Sequence, residues 1–356
     1  MNAALVDSIA KAVLYEGYLL YPYRPSAVKN RQRFNFGVLY PQSYSETQGR
    51  TDAWTMQTEC LVSADEYTDC LVRVRFLRVI DRSIGKVDAP VDGIQKLDAL
   101  KTRKVDRLEA DGRLYQSWQE AVEEEIKLTE LNIRALALVS QPMQWPFRLS
   151  AKREIEAIRD DAGITHGLVV RVQESLAGLI EISAEPLREH LFRLKVRIQN
   201  TTRIENLAQA TREEALAHSL VSAHTILEAV AGEFVSLVDP PEEFRESAKS
   251  CQNVGTWPVL VGDEGQRDTL LSSPIILYDY PQVAPESPGD LFDGAEIDEI
   301  LSLRIMTMTE EEKREMRQSD ERARQILERT ESLPEEQLMK LHGAIRGLRP
   351  AKGATP

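Results

Sequence analysis

Residues 191–200 read LFRLKVRIQN, with Phe192, Leu194, Val196 and Ile198 at one parity and Arg193, Lys195 and Arg197 at the other. Successive side chains of an extended chain point to opposite faces, so this stretch predicts a strand with one packed and one wet face. The same alternation recurs upstream, where Val72, Val74, Phe76 and Ile80 interleave with Arg73 and Arg75. Met56, Cys60, Val62 and Ala64 share one side of a further extended stretch, and Asp65 to Asp69 is then expected to be a hairpin loop that brings Cys60 and Cys70 into one neighbourhood. Shorter runs with the strand period lie at Val122, Ile126 and Leu128, at Phe147, Leu149, Ala151 and Ile155, at Leu168, Val170 and Val172, and at Leu179 to Ile182.

Gaps of turn length, rather than regular amphipathic helices, separate these runs. The pattern predicts an α+β protein with an antiparallel, strand-rich core, sandwich-like or barrel-like, and argues against a doubly wound nucleotide fold. Ser83 to Arg113, rich in Lys, Asp and Gly, reads as a long surface excursion. A helix is expected around Ile204 to Leu216, and Ser219 to Leu237 fits both periods and stays unassigned. Val259 to Val261 and Ile275 to Tyr278 are apolar runs that complete the sheet or pack across its edge.

Around this core, residues 1–50 read as a helix (Leu5, Val6, Ile9 and Val13 at helical spacing) followed by a Tyr/Arg-rich connector in which Pro22, Pro25 and Pro41 forbid a long helix. Residues 51–280 form the strand-rich domain, 281–290 a linker rich in Pro, Ser and Gly, and 291–356 a tail of two or three helices. In the tail, Thr309 with Glu312 has the spacing of a capping box, and Ser332, Pro334 and Glu335 signal a further helix start.

With 356 residues and 42% hydrophobic content, the chain can bury a sizeable core. A net charge of −13 argues against a general nucleic-acid binder. Three cysteines are too few and odd in number for a disulfide framework, which favours a reducing cytoplasm. The opening residues lack the basic region of a secretory signal, and no run reaches the length of a membrane span, so the expectation is a soluble, cytoplasmic protein.

No phosphate-binding loop, glycine-rich dinucleotide turn, Cys-x-x-Cys pair, His-Glu-x-x-His helix or nucleophile elbow occurs. The segment with Tyr15, Tyr18, Tyr21 and Tyr23 followed by Arg24, Lys29, Arg31 and Arg33 has the chemistry of a recognition surface, since tyrosine joins apolar area to a hydroxyl and guanidinium chelates anions. Tyr18, Tyr21, Arg24, Arg31 and Arg33 are its candidate contacts; the plainer reading packs the rings inward and leaves the cations solvated. Cys251, with His224, is a candidate Cys/His site for a hydrolase or transferase, set against a buried structural thiol. His218 and His224, with Glu228 or Asp239, are candidate metal ligands, set against ordinary hydrogen-bonding imidazoles. Asp290, Asp293, Glu296, Asp298 and Glu299 cluster around Gly294, but their spacing departs from a calcium loop and suits a helix N-terminus. Ile305, Met306, Met308, Ile326 and Leu327 are candidate exposed anchors on the tail. No cofactor is indicated.

Two blocks, VLYEGYLLYPYRPSAVKNRQRFNFGVLYP and LFDGAEIDEILSLRIMTMTEEEKREMRQSDERA, together with HTILEAVAGEFVSLVDPP between them, resemble a poorly characterised bacterial family associated with gene clusters of nickel-iron hydrogenases. The resemblance implies a non-catalytic accessory role in assembling or maturing a hydrogenase, with its subunits as partners. It transfers no catalytic residue. The chain lacks a cysteine pair for nickel and a histidine-rich store, which fits a chaperone or assembly role better than metal delivery.

Overall fold

A computed structural model of the chain describes residues 3–18, 23, 34, 36–92, 96–205, 207–282, 298–319 and 321–334. Its spine is one long bent strand, β1 (Thr55–Val91). The remaining strands are β2 (Thr102–Val105), β3 (Arg107–Ala110), β4 (Arg113–Gln116), β5 (Trp118–Asn132), β6 (Met143–Leu149), β7 (Lys152–Arg159), β8 (Thr165–Gln173), β9 (Leu176–Arg188), β10 (Leu191–Asn200), β11 (Val221–Val235), β12 (Trp257–Leu260) and β13 (Thr269–Ser273). The helices are α1 (Ala3–Leu14), α2 (Gln42–Thr47), α3 (Ile133–Ala137), α4 (Arg212–Ala217), α5 (Arg245–Lys249), α6 (Asp298–Met306), α7 (Glu310–Ser319) and α8 (Glu321–Glu331).

Every strand pair is antiparallel, and the register shows how one strand organises so many. Thr55–Ser63 of β1 pairs with β10, Asp69–Arg82 with β5 and Ile84–Val87 with β2, all along one edge. The opposite edge takes β11 at Leu61–Leu77 and then β8 at Asp81–Val91. Beyond β10 lie β9 and β6, and beyond β11 lie β13 and β12. The β10–β9–β6 leaf folds over the β5–β1–β11 leaf, so that Phe76 of β1 stacks near Phe147 of β6 with ring centroids 6.2 Å apart. The sheet does not close into a barrel. Between the leaves lies an aliphatic core including Val72, Val74, Leu194, Val196 and Ile180, from runs read as strands, together with Leu227 of the stretch left unassigned.

Two expectations are corrected. Asp65–Asp69 is not a hairpin loop but a bulge inside β1: pairing with β11 jumps from Ala64/Gly232 to Asp69/Val230, and the Thr68 hydroxyl donates to the carbonyl of Ala231 at 2.7 Å. The run contains no Gly, Asn or Pro to make a tight reversal, so the polar residues bulge out while the strand continues. Cys60 and Cys70 do enter one core cluster, both as free thiols. Nor is Ser83–Arg113 a surface excursion: β1 runs on to Val91, and β2 and β3 follow. Its buried positions, Ile84, Val87, Leu108 and Ala110, are few among many exposed charges, which hid the period.

The unassigned stretch is β11, and the expected capping box is made in full: the Thr309 amide donates to Glu312 Oε2 at 2.9 Å and the Glu312 amide to Thr309 Oγ1 at 3.3 Å. The predicted helix start at Glu335 and residues 283–290 of the linker lie outside the described residues. Among the described residues no helix is long and apolar enough to cross a membrane.

Candidate functional site

The two ends of the chain meet on the outer face of the sheet. Tyr15, Tyr18, Tyr23 and Phe34 form one buried cluster with Leu77 and Val79 of β1, Trp118 and Ala121 of β5, and Leu301, Ile305, Met316, Ile326 and Leu327 of α6–α8. Tyr15 and Tyr18 meet edge to face, 5.4 Å between centroids. Arg322 of α8 lies over both rings, 4.1 Å from the Tyr15 centroid and 5.1 Å from that of Tyr18, and donates a hydrogen bond to the Tyr15 hydroxyl. The guanidinium thus answers both the ring face and the phenol oxygen of a buried tyrosine.

Tyr18, expected on an outward docking face, is only 1% exposed. Its ring is committed to the tail, the plainer of the two sequence readings. Tyr21, Arg24, Arg31 and Arg33 lie outside the described residues. Of the expected tail anchors, Ile305, Met308, Ile326 and Leu327 are buried in this layer and Met306 alone is exposed. Asp298 and Glu299 open α6, and Asp290, Asp293 and Glu296 lie outside the described residues.

Cys251 and His224 are not brought together. Cys251 follows α5 in a loop held against the start of β1: the Gln252 amide donates to Glu59 Oε2 at 2.8 Å, the Glu59 amide donates to Asn253 Oδ1 at 2.8 Å, and Val254 bridges Gln57. Glu59 is itself buried and accepts from Lys195 Nζ at 2.8 Å. Burial pushes the Cys251 thiol up, against the opposing influence of Arg193, whereas a nucleophile needs a lowered pKa. His224 sits far along β1 from Glu59, in register with Arg75 and beside α1. It is fully buried; Nδ1–H donates to the carbonyl of Ser222 at 2.9 Å and Nε2 has no hydrogen-bond partner among the described residues. Burial first, then Arg75 and Arg73, hold its pKa down to about 4.

The proposed metal ligands are also dispersed. His218 ends α4 with Nδ1 3.3 Å from the Ser175 carbonyl, and Glu228 is held by Arg73 at 3.0 Å. Among the described residues no group of three His, Cys, Asp or Glu side chains is placed to hold a metal ion.

What sequence reasoning missed is an exposed row at the far edge of the sheet. After β13, alternate residues turn in and out: Ile275 and Leu277 pack on the α1 cluster, while Ile276 is 72% and Tyr278 83% exposed. The segment is pinned where it passes the outer strand, by the Tyr280 amide donating to the Leu260 carbonyl at 2.7 Å and the Leu260 amide donating to Asp279 Oδ1 at 2.8 Å. Trp257 of β12 and the neighbouring Val254 are also exposed. The signal was present as the apolar run Ile275–Tyr278, but an apolar run does not by itself reveal which alternate residues lack a cover. No protein-family model and no curated protein matches the chain.

Proposed function

We propose that the protein is a non-catalytic accessory protein that works by holding a protein partner, in the assembly or maturation of a nickel-iron hydrogenase. The setting comes from the resemblance of the sequence blocks. The observation that carries the binding role is the row Ile276 and Tyr278, exposed to solvent on a backbone fixed by hydrogen bonds to β12. Large apolar side chains on an ordered segment are the material of interface hot spots, because they lose water on contact without a large ordering cost. Tyr21, Arg24, Arg31 and Arg33 supply a second, cationic part of the contact in this reading. The competing Cys/His enzyme has no geometry in its favour, since its thiol lies in a loop against the start of β1 and its imidazole on β11 opposite Arg75.

The test is affinity capture of the tagged full chain from its native organism, with captured proteins quantified by mass spectrometry. Hydrogenase subunits are expected with the unaltered chain and are expected to be lost with Ile276→Asp plus Tyr278→Asp. Capture unchanged by that double substitution removes the β12-edge row from the contact. Recovery without any hydrogenase subunit removes the setting. Reversing Arg31 and Arg33 to Glu tests the cationic part separately.

A further inference from the structure

A second surface, on the opposite side of the β1 spine from the exposed row, has a different chemistry. Lys86, Arg103, Arg107 and Arg314 line one cleft of about 660 Å³ between β2–β4 and α7, together with Val105, Leu108 and Leu114. Lys86 and Arg103 are directly opposed in the β1–β2 register. Like charges facing one another across a strand pair repel, so this arrangement is retained at a cost to the fold. None of the four cations makes an ion pair with a described residue, in contrast to Arg73, Arg75, Arg78, Arg82, Arg171 and Arg193, which each have a carboxylate within 4 Å. The cleft also carries Glu109, Glu311 and Glu315, so its four cations outnumber its carboxylates by one in a chain with a net charge of −13.

We propose that this cleft docks an acidic, extended segment of a partner protein, with carboxylates on Arg103 and Arg107 and an apolar side chain between them against Val105. Arg103, Val105 and Arg107 are two residues apart in turn along β2 and into β3. At roughly 3.3 Å per residue the outer two are up to about 13 Å apart, a span that acids four apart on an extended peptide match and a single phosphate does not. Glu109, Glu311 and Glu315 share the cleft wall. They repel the evenly spaced charges of a nucleic-acid backbone, while a peptide whose acids are four residues apart can set its neutral polar residues beside them. The site is separate from the β12-edge row, so either can fail alone.

The experiment uses the full chain and a fluorescein-labelled peptide of about ten residues, with Glu at every fourth position, Leu midway between and Ser elsewhere. Fluorescence anisotropy is expected to show saturable binding that weakens as salt rises and falls by about ten-fold or more in Arg103→Glu plus Arg107→Glu, whose positions are exposed and peripheral to the core. Ile276→Asp plus Tyr278→Asp should bind the peptide as the unaltered chain does. The proposal is overturned by no binding, by equal binding to the charge-reversed variant, or by oligothymidylate or inorganic pyrophosphate binding in place of the peptide.

Discussion

The core between the two leaves and the layer on the outer face of the sheet are built by different rules. Between the leaves, aliphatic side chains come from neighbouring strands, and the register that pairs the strands also selects which side chains meet. On the outer face, aromatic residues from the start of the chain meet helices from its end, joined by Arg322 over Tyr15 and Tyr18. The first arrangement is specified locally by alternation and the second by contacts across nearly the whole sequence. The inner core should therefore set global stability, and the outer layer should open at lower free energy without unfolding the sheet.

The largest effect tests Arg78, the most deeply buried arginine among the described residues. Arg78 is 1% exposed, donates at 2.6 Å to the carbonyls of both Ser150 and Glu174, and pairs with Glu124 at 3.3 Å. It ties the turn after β6 and the turn after β8 to the spine. Arg78→Ala strands two carbonyls and a carboxylate and removes the packing of a long side chain, an expected loss of about 4 kcal/mol. A urea midpoint that hardly moves would show that the leaves are held by their apolar contacts alone.

His224 lies where the two arrangements border, with α1 against the same face of β11. The charged groups around it are Arg73, Arg75 and Glu123, with Asp7 of α1 and Glu125 and Glu228 paired to the same arginines. Its folded pKa of about 4 lies below the ordinary 6.5, so between these values the unfolded chain binds more protons and stability rises with pH. The contribution, about 3 kcal/mol, is complete above pH 6.5 and is lost as pH falls towards 4. His224→Gln should flatten the pH dependence of the denaturation midpoint within that window. An unchanged slope would assign the acid sensitivity to other groups.

A smaller effect is expected in the outer layer itself. Arg322→Ala removes a cation from two tyrosine faces and a donor from the Tyr15 hydroxyl, an expected loss of about 1–2 kcal/mol. The informative readout is hydrogen exchange: amides of α7 and α8 should lose protection while those of β10 and β11 keep theirs. Equal loss in both would mean that the two layers unfold as one cooperative unit.

The contrast also explains how much was legible beforehand. β10 and the stretches of β1 at Thr55–Ala64 and Leu71–Ile80 could be read because a wet face alternates with a dry one along a single strand. The edge region 83–110 could not, since both strand faces there carry charges and the few buried residues are diluted. Tyr18 shows the same gap at the level of function. A tyrosine beside arginines is chemically competent to face a partner or to be buried, and the choice depended on Arg322 and Leu327, residues with no local trace in the opening segment. The Cys251–His224 pairing failed for a related reason: closeness in sequence says little when the intervening chain runs along a long strand.

The smallest effect isolates the local part of the outer layer. Thr309 caps α7 reciprocally with Glu312, the motif visible in the sequence, while Met316 on the same helix points into the aromatic cluster, which was not visible. Thr309→Ala frees the Glu312 amide but leaves Met316 in place, an expected loss of about 1 kcal/mol. If α7 owes its order chiefly to the cluster, only its first turn should lose exchange protection. If protection instead falls along the whole of α7 and α8, the cap is what nucleates the tail, and local sequence governs even the layer assembled from distant parts of the chain.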